Sequence, residues 1–153
     1  MSSNNHSLRV ALVYRGTVYQ ERSFTRTSDP TITIGGGEDN DFVTPSDKLA
    51  SNFEMFERDD DGYVVRFTDQ LEGSVTVGGE EYSLDELAGD MATKVDSVQT
   101  DEGTADVYEI SLRKEDWGLF RMGDLEVFFQ ILGRPAVVAG RGLRLCNADI
   151  AVA

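Results

Sequence analysis

Four residues of a short acidic turn, Glu57, Asp59, Asp61 and Gly62, fall at positions 1, 3, 5 and 6 of a calcium-binding loop. In such a loop alternate oxygens converge on the ion around a glycine bend. Position 12 is Thr68, where a bidentate glutamate is needed, and position 1 is Glu rather than Asp. The flanks "FEMFER" and "YVVRF" have strand character, not helix character, so the stretch reads as a hairpin tip with solvated acids. A second candidate is the triplet Gly35-Gly36-Gly37. A phosphate-cradling loop needs a lysine and a Ser or Thr where a helix opens, so that backbone N–H groups meet the phosphate. Here Glu38-Asp39-Asn40-Asp41 follow, their carboxylates repel phosphate, and no helical pattern succeeds them. The triplet reads as a tight connection between strands.

Nucleophile–base pairs cannot be assembled from these residue types. The single histidine, His6, sits in a polar N-terminal arm, residues 1–7, expected to be disordered. Without a second histidine, an activated cysteine or a Gly-x-Ser-x-Gly elbow, the common covalent mechanisms lack their parts. An enzyme is therefore not expected, nor a cofactor or a metal. The aromatics Tyr108, Trp117, Phe120, Phe128 and Phe129 lie on strand-like runs and read as core in preference to a ligand cage.

The charge balance narrows the partners. Among 153 residues, 28 acids against 14 bases leave a formal net charge of −14, which opposes long-range attraction to nucleic acid. Basic or neutral protein surfaces are the expected partners. The lone cysteine, Cys146, allows no internal disulfide and suits a reducing compartment. The start carries no basic leader, and its apolar run Val10–Val13 is too short for a signal peptide. A cytoplasmic location is expected.

The elements that must carry these residues are short strands. "LRVALVY" (8–14) and "TVYQERSF" (17–24) flank Arg15-Gly16 as a hairpin, and "TITI" follows Pro30. "FEMFER" (53–58) and "YVVRF" (63–67) flank "DDDG"; "SVTV" and "EEYS" flank Gly78-Gly79. Val107–Leu112 follows, and "WGLFRM" (117–122) and "LEVFFQIL" (125–132) flank Gly123-Asp124. The rhythm predicts an all-β sandwich of about eleven strands. Ser83-Leu84-Asp85-Glu86 has the capping-box spacing, which predicts one short helix over Leu84–Ala88, stopped by Gly89. "DSVQTDEGTAD" (96–106) reads as an exposed acidic loop with little to bury. From Pro135 the rhythm stops: Arg134, Arg141 and Arg144 precede the apolar end "DIAVA". Such a tail is either plain and disordered or the cytoplasmic approach to a membrane helix.

The order of these pieces resembles the phosphothreonine-reading forkhead-associated (FHA) family over residues 8–133. "TITIGGGEDNDFVTP" is similar to its strand ending Ile-Gly, followed by a turn and Asn-Asp-hydrophobic-Val. "LASNFEMFE" stands where the family has Ser-x-x-His, "LEGSVTVGGEEY" where it has Asn-Gly-Thr, and "WGLFRMGDLEVFFQIL" resembles its closing hairpin. The resemblance implies an FHA-like β-sandwich with its reading loops at one end. It also locates departures. The phosphate-binding arginine of the family corresponds to Gly36, its serine to Ala50 or, slipped by one, Ser51, its histidine to Phe53, and its peptide-holding asparagine to Glu72. Arg–phosphate pairing supplies charge-assisted bidentate hydrogen bonds; glycine removes that attraction and Glu72 adds repulsion.

More narrowly, "LRVALVYRGTVYQERSF", "KLASNFEMFE", "GSVTVGGEEYSLDEL" and "DWGLFRMGDLEVFFQIL" resemble the N-terminal segment of AgmX/PglI-type, TonB-like adventurous-gliding-motility proteins. This implies an FHA-like domain on the cytoplasmic side of an inner-membrane helix that would follow Ala153, with residues 134–153 as the approach to it. The expected activity is non-catalytic binding of a protein partner, a cytoplasmic component of a motility complex, through loops carrying Gly36, Gly37, Asn40, Lys48, Ser51, Asn52, Glu72, Gly73 and Ser74. One rival is a working phosphopeptide reader using Arg22, Arg26 and Lys48 as substitute cations. Another is a structural module that mainly self-associates or supports the tail.

Overall fold

The computed structural model describes residues 6–25, 29–44 and 48–133. Among them are twelve strands in two six-stranded sheets. The first sheet runs β2 (Thr17–Phe24), β1 (Ser7–Tyr14), β12 (Leu125–Leu132), β11 (Trp117–Met122), β7 (Glu72–Val77), β8 (Glu80–Ser83). The second runs β4 (Phe42–Val43), β3 (Thr31–Gly35), β5 (Phe53–Arg58), β6 (Gly62–Thr68), β10 (Gly103–Arg113), β9 (Thr93–Thr100). Every pairing is antiparallel except the short parallel contact of β3 with β4. The all-β sandwich expected from the hairpin rhythm is the observed fold.

Alternation makes the two layers. Leu125, Val127, Phe129 and Ile131 of β12 point inward and are buried, as are Leu8, Val10 and Leu12 of β1 beside them. The opposing sheet contributes Ile32, Ile34, Phe56, Val65 and Phe67. Phenylalanines join the layers: Phe129 meets Phe56 edge-on at 5.2 Å and Phe120 at 4.9 Å, and Phe120 in turn meets Phe67 at 6.1 Å. Such ring pairs add about 0.5–1.5 kcal/mol beyond their area burial. Of the aromatics assigned to the core, Phe120 and Phe129 are fully buried and Tyr108 is stacked on Phe67, whereas Trp117 is 41% exposed and packs with Phe128 on the outer face. Strand parity explains the split, since residues 117 and 128 fall on the faces opposite 120 and 129.

Three expectations need correction. Residues 96–106 are not a loop: β9 and β10 form a hairpin there, turning at Asp101-Glu102. An edge strand needs neighbours on one side only, and β9 buries so little that its sequence carries no hydrophobic alternation. This strand and the two-residue β4, added to the ten runs named from the sequence, make the twelve strands observed. His6 and Ser7, expected in a disordered arm, belong to the fold: Ser7 pairs with Leu132 and His6 is buried with its ring edge-on to Tyr63 at 5.6 Å, while residues 1–5 lie outside the described residues. Burial also pushes the Tyr63 phenol up to about 12. The helix, finally, is α1 (Leu84–Glu86) continued by a π-type turn over Leu87–Met91, so Gly89 does not stop it. Its start is as expected: Ser83 Oγ accepts from the Glu86 N–H at 3.1 Å while Glu86 Oε1 accepts from the Ser83 N–H at 2.8 Å. The basic tail, residues 134–153, lies outside the described residues.

Two ends of the sandwich are distinguished by their turns. One, here the apical end, carries the connections after β1, β3, β4, β6, β9 and β11; the other carries those after β5, β7 and β10. At the latter end Asp116 is 7% exposed and accepts from the Gly78 N–H at 3.0 Å and the Arg113 N–H at 2.9 Å. It thereby ties the β7–β8 turn to the β10–β11 turn. An amide at 116 has one acceptor oxygen for two donors. Asp116→Ala is expected to cost about 1–3 kcal/mol in urea unfolding, with Asp116→Asn recovering only part of it; full recovery by Asn would show that only one of the two bonds matters.

Candidate functional site

The three loops singled out in the sequence all lie at the apical end. Two of them are joined directly. The β3–β4 turn folds back onto the segment before β5: the Gly37 N–H donates to the Ser51 carbonyl at 3.0 Å. Asn40 Nδ2 donates to the Gly37 and Ser51 carbonyls, each at 2.8 Å, and the side chain is 7% exposed. A methyl at position 35 would sit 2.5 Å from the Ser51 carbonyl oxygen, so Gly35 is required by this approach, while one at 37 would sit 3.1 Å away. Gly36 is exposed, as are Ser51 and Asn52. The glycine triplet therefore holds one obligate glycine, one close one and one that faces solvent.

Asp41 continues the bracing. Its Oδ2 accepts from the Thr33 N–H at 2.9 Å, and its own N–H donates to Thr33 Oγ1 at 3.1 Å. Lys48 reaches Glu102 in the β9–β10 turn, Nζ to Oε1 at 3.1 Å. That turn is in turn fixed to the connection after β6, where Thr100 Oγ1 donates to Gln70 Oε1 at 2.8 Å and the Asp106 N–H to Asp69 Oδ1 at 3.2 Å.

Glu72, Gly73 and Ser74 belong to β7 in the other sheet, opposite Arg121, Phe120 and Leu119. Among the described residues no hydrogen bond connects these three to the Gly36–Asn40 or Lys48–Asn52 loops. Gly73 has φ +137°, and a methyl there would lie 1.9 Å from the Leu119 carbonyl oxygen. Its role is architectural. Glu72 is exposed beside Arg121 on the neighbouring strand.

Two of the three cations proposed as substitute phosphate hooks, Arg22 and Lys48, are committed elsewhere. Arg22 Nη1 donates to the Asp41 carbonyl at 2.9 Å, and its guanidinium lies 4.8 Å from the Phe24 ring and 5.6 Å from that of Phe42. It fastens edge strand β2 to β4 across the open side of the sandwich. Lys48 is held by Glu102, and Arg26 lies outside the described residues. The calcium-like turn is equally occupied: Glu57 accepts from Arg66 Nη2 at 2.7 Å, and Asp59 Oδ1 accepts from the Asp61 and Gly62 N–H groups at 3.1 and 3.0 Å.

Sequence spacing misses one feature, a cleft of about 850 Å³ between the β1–β2 turn, the β11–β12 turn and the segment after β4. Tyr14, Tyr19, Lys48, Glu102 and Asp124 stand around it. Arg15 closes one rim through Asp124, Nη2 to Oδ2 at 3.1 Å, and that bond raises the Arg15 pKa above its ordinary value. The two turns that frame it, Arg15-Gly16 and Gly123-Asp124, were both readable as hairpin turns. Only the β1–β12 pairing, Tyr14 opposite Leu125, places them side by side. No family model, curated protein or solved structure matches this chain.

The side-chain amide of Asn40 must donate twice, so its substitution tests the bracing. Asn40→Ala is expected to cost about 1–3 kcal/mol and to speed hydrogen exchange at the Gly37 amide. Asn40→Asp should cost more at neutral pH, because a carboxylate would face two carbonyl oxygens, and should regain stability as acid protonates it. Equal stability of the Asp variant and the parent across pH would refute the double-donor geometry.

Proposed function

We propose that this chain is a non-catalytic protein-interaction domain, an FHA-like sandwich that binds a protein partner at its apical end and has lost the phosphothreonine pocket. The carrying observation is the state of the cations there. Gly36 is exposed on a turn that continues into Glu38 and Asp39, while Arg22 and Lys48 are engaged by Asp41 and Glu102. A phosphate brings about two negative charges and needs donors to receive them. At this end it would meet carboxylates and would have to break existing pairs first.

What supports a binding role is order. Asn40, Thr33–Asp41 and Lys48–Glu102 hold the loops in one arrangement, which lowers the entropic cost of docking a partner. The wider setting, the cytoplasmic side of the inner membrane in a motility or TonB-like envelope complex, rests on the sequence resemblance of residues 8–133 alone. It has a direct consequence: about twenty apolar residues should be encoded after Ala153.

Fluorescence anisotropy with two degenerate peptide libraries, one with a fixed phosphothreonine and one with threonine, tests the reading. Binding is expected to be indifferent to phosphate within about twofold, or weaker with it, and to weaken with salt where acids steer the partner. Micromolar binding that requires the phosphate would overturn the lost-pocket reading in favour of a working phosphopeptide reader.

A further inference from the structure

The cleft beside the β1–β2 turn has a chemistry of its own. Its floor is apolar and closed: Met122 and Leu125 are 5% and 6% exposed. Tyr14 and Tyr19 rise from the hairpin, 47% and 48% exposed, and the Arg15 guanidinium already lies 5.2 Å from the Tyr14 ring, which shows that this ring accepts a cation. Two ion pairs cross the rim, Arg15–Asp124 and Lys48–Glu102, both at 3.1 Å. One wall is strand β2, the outermost strand of its sheet, whose far edge pairs with no other strand among the described residues.

We infer that this cleft is the docking site for an extended peptide segment of a partner protein that places an arginine or lysine side chain between the tyrosines and the rim carboxylates. The inference rests on the protein-interaction reading and gives it an address and a partner chemistry. Charge sets the sign. The chain carries −14, and Glu38, Asp39 and Asp101 stand in the neighbouring apical turns. Tyrosine faces attract cations. The two rim pairs are solvent-exposed and therefore weak, so an incoming guanidinium can share Asp124 or Glu102 without stranding a buried charge. An acidic segment would have to expel those same carboxylates against the field of the whole domain. The extended form follows from the free edge of β2, along which a peptide backbone can add by strand pairing, and from a cleft volume that holds a few side chains and no folded module.

The experiment titrates the isotope-labelled chain with an eight-residue peptide of alternating arginine and serine, and separately with its glutamate–serine counterpart, following backbone amide shifts. The arginine peptide is expected to move Tyr14, Thr17, Tyr19, Glu102 and Asp124, and to lose about tenfold in affinity on raising salt from low to physiological strength. Tyr19→Ala and Glu102→Gln should each weaken it several-fold, while Glu81→Gln, at the opposite end, should leave it unchanged. Equal losses from Glu81→Gln would reduce the effect to diffuse attraction and overturn the inference. So would shifts confined to residues 36–41 and 71–74, equal binding of the glutamate peptide, or no shift with either peptide. In each of those cases the interaction reading survives if the unphosphorylated library still binds, and falls with the inference if it does not.

Discussion

The apical end of this sandwich depends on one close approach, that of the β3–β4 turn to the backbone at Ser51. There is room for no side chain at Gly35, and two carbonyls of different segments are left pointing at one spot. Buried carbonyls need donors. Asn40 is the residue type that fits: its amide offers two hydrogens from one nitrogen, and it is short enough to stay within the turn. The pairs around it are of another order. Lys48–Glu102 and Arg15–Asp124 are exposed, and exposed pairs contribute about 0–1 kcal/mol. A buried amide bridging two backbones contributes more, since removing it takes one hydrogen bond from each of two backbone carbonyls at once. The fixed geometry of the end therefore comes from Asn40, and the salt bridges trim it.

That end is in turn carried by a core that joins the sheets ring to ring. Phe129 and Phe120 of one layer and Phe56 and Phe67 of the other interlock at centroid distances of 4.9 to 6.1 Å. Because β12 is central in its sheet and β6 is central in the other, these rings lie away from every edge. The edges β2 and β4 instead meet through Arg22, stacked on Phe24 and Phe42 and bonded to the Asp41 carbonyl. An arginine that lies against two rings and donates to a backbone carbonyl closes the open side as a core residue could not, because its position is wet at one end.

Strands that alternate were legible in the sequence, and strands that do not were hidden. β11, β12 and the middle of β6 bury every second residue, β1 is an apolar-rich run buried from Ser7 to Leu12, and the hairpin turns Arg15-Gly16, Gly78-Gly79 and Gly123-Asp124 contain glycines at positive φ. β9 is invisible because its stability comes from pairing with β10 and from contacts such as Lys94–Asp106, not from a buried face. The capping box located the start of α1, but the widened turn through Met91 has no local signal, since it ends where Leu84 and Leu87 find the core. At the candidate site the loops were placed correctly at one end, yet the division of labour among their residues was not readable. Asn40 and Gly73 serve the fold, Gly36 faces solvent, and the cleft is built from residues of strands distant in sequence. Register decides such neighbours, and register is a property of the whole sheet.

On the proposed reading, the acidity that would close this end to phosphate would also favour cations, and the two proposals share one electrostatic basis. In this carboxylate-rich loop cluster the cations Arg15, Arg22 and Lys48 are placed as ties between segments. Each tie consumes a cation that a phosphate reader would keep for its ligand. Were the positive groups unengaged, the end would be a competent anion trap held apart by its own repulsion. With them engaged, the repulsion is relieved inside the molecule and the surplus carboxylates face outward. On that reading, charge used for cohesion is removed from recognition, and what remains at the surface would select partners of the opposite sign.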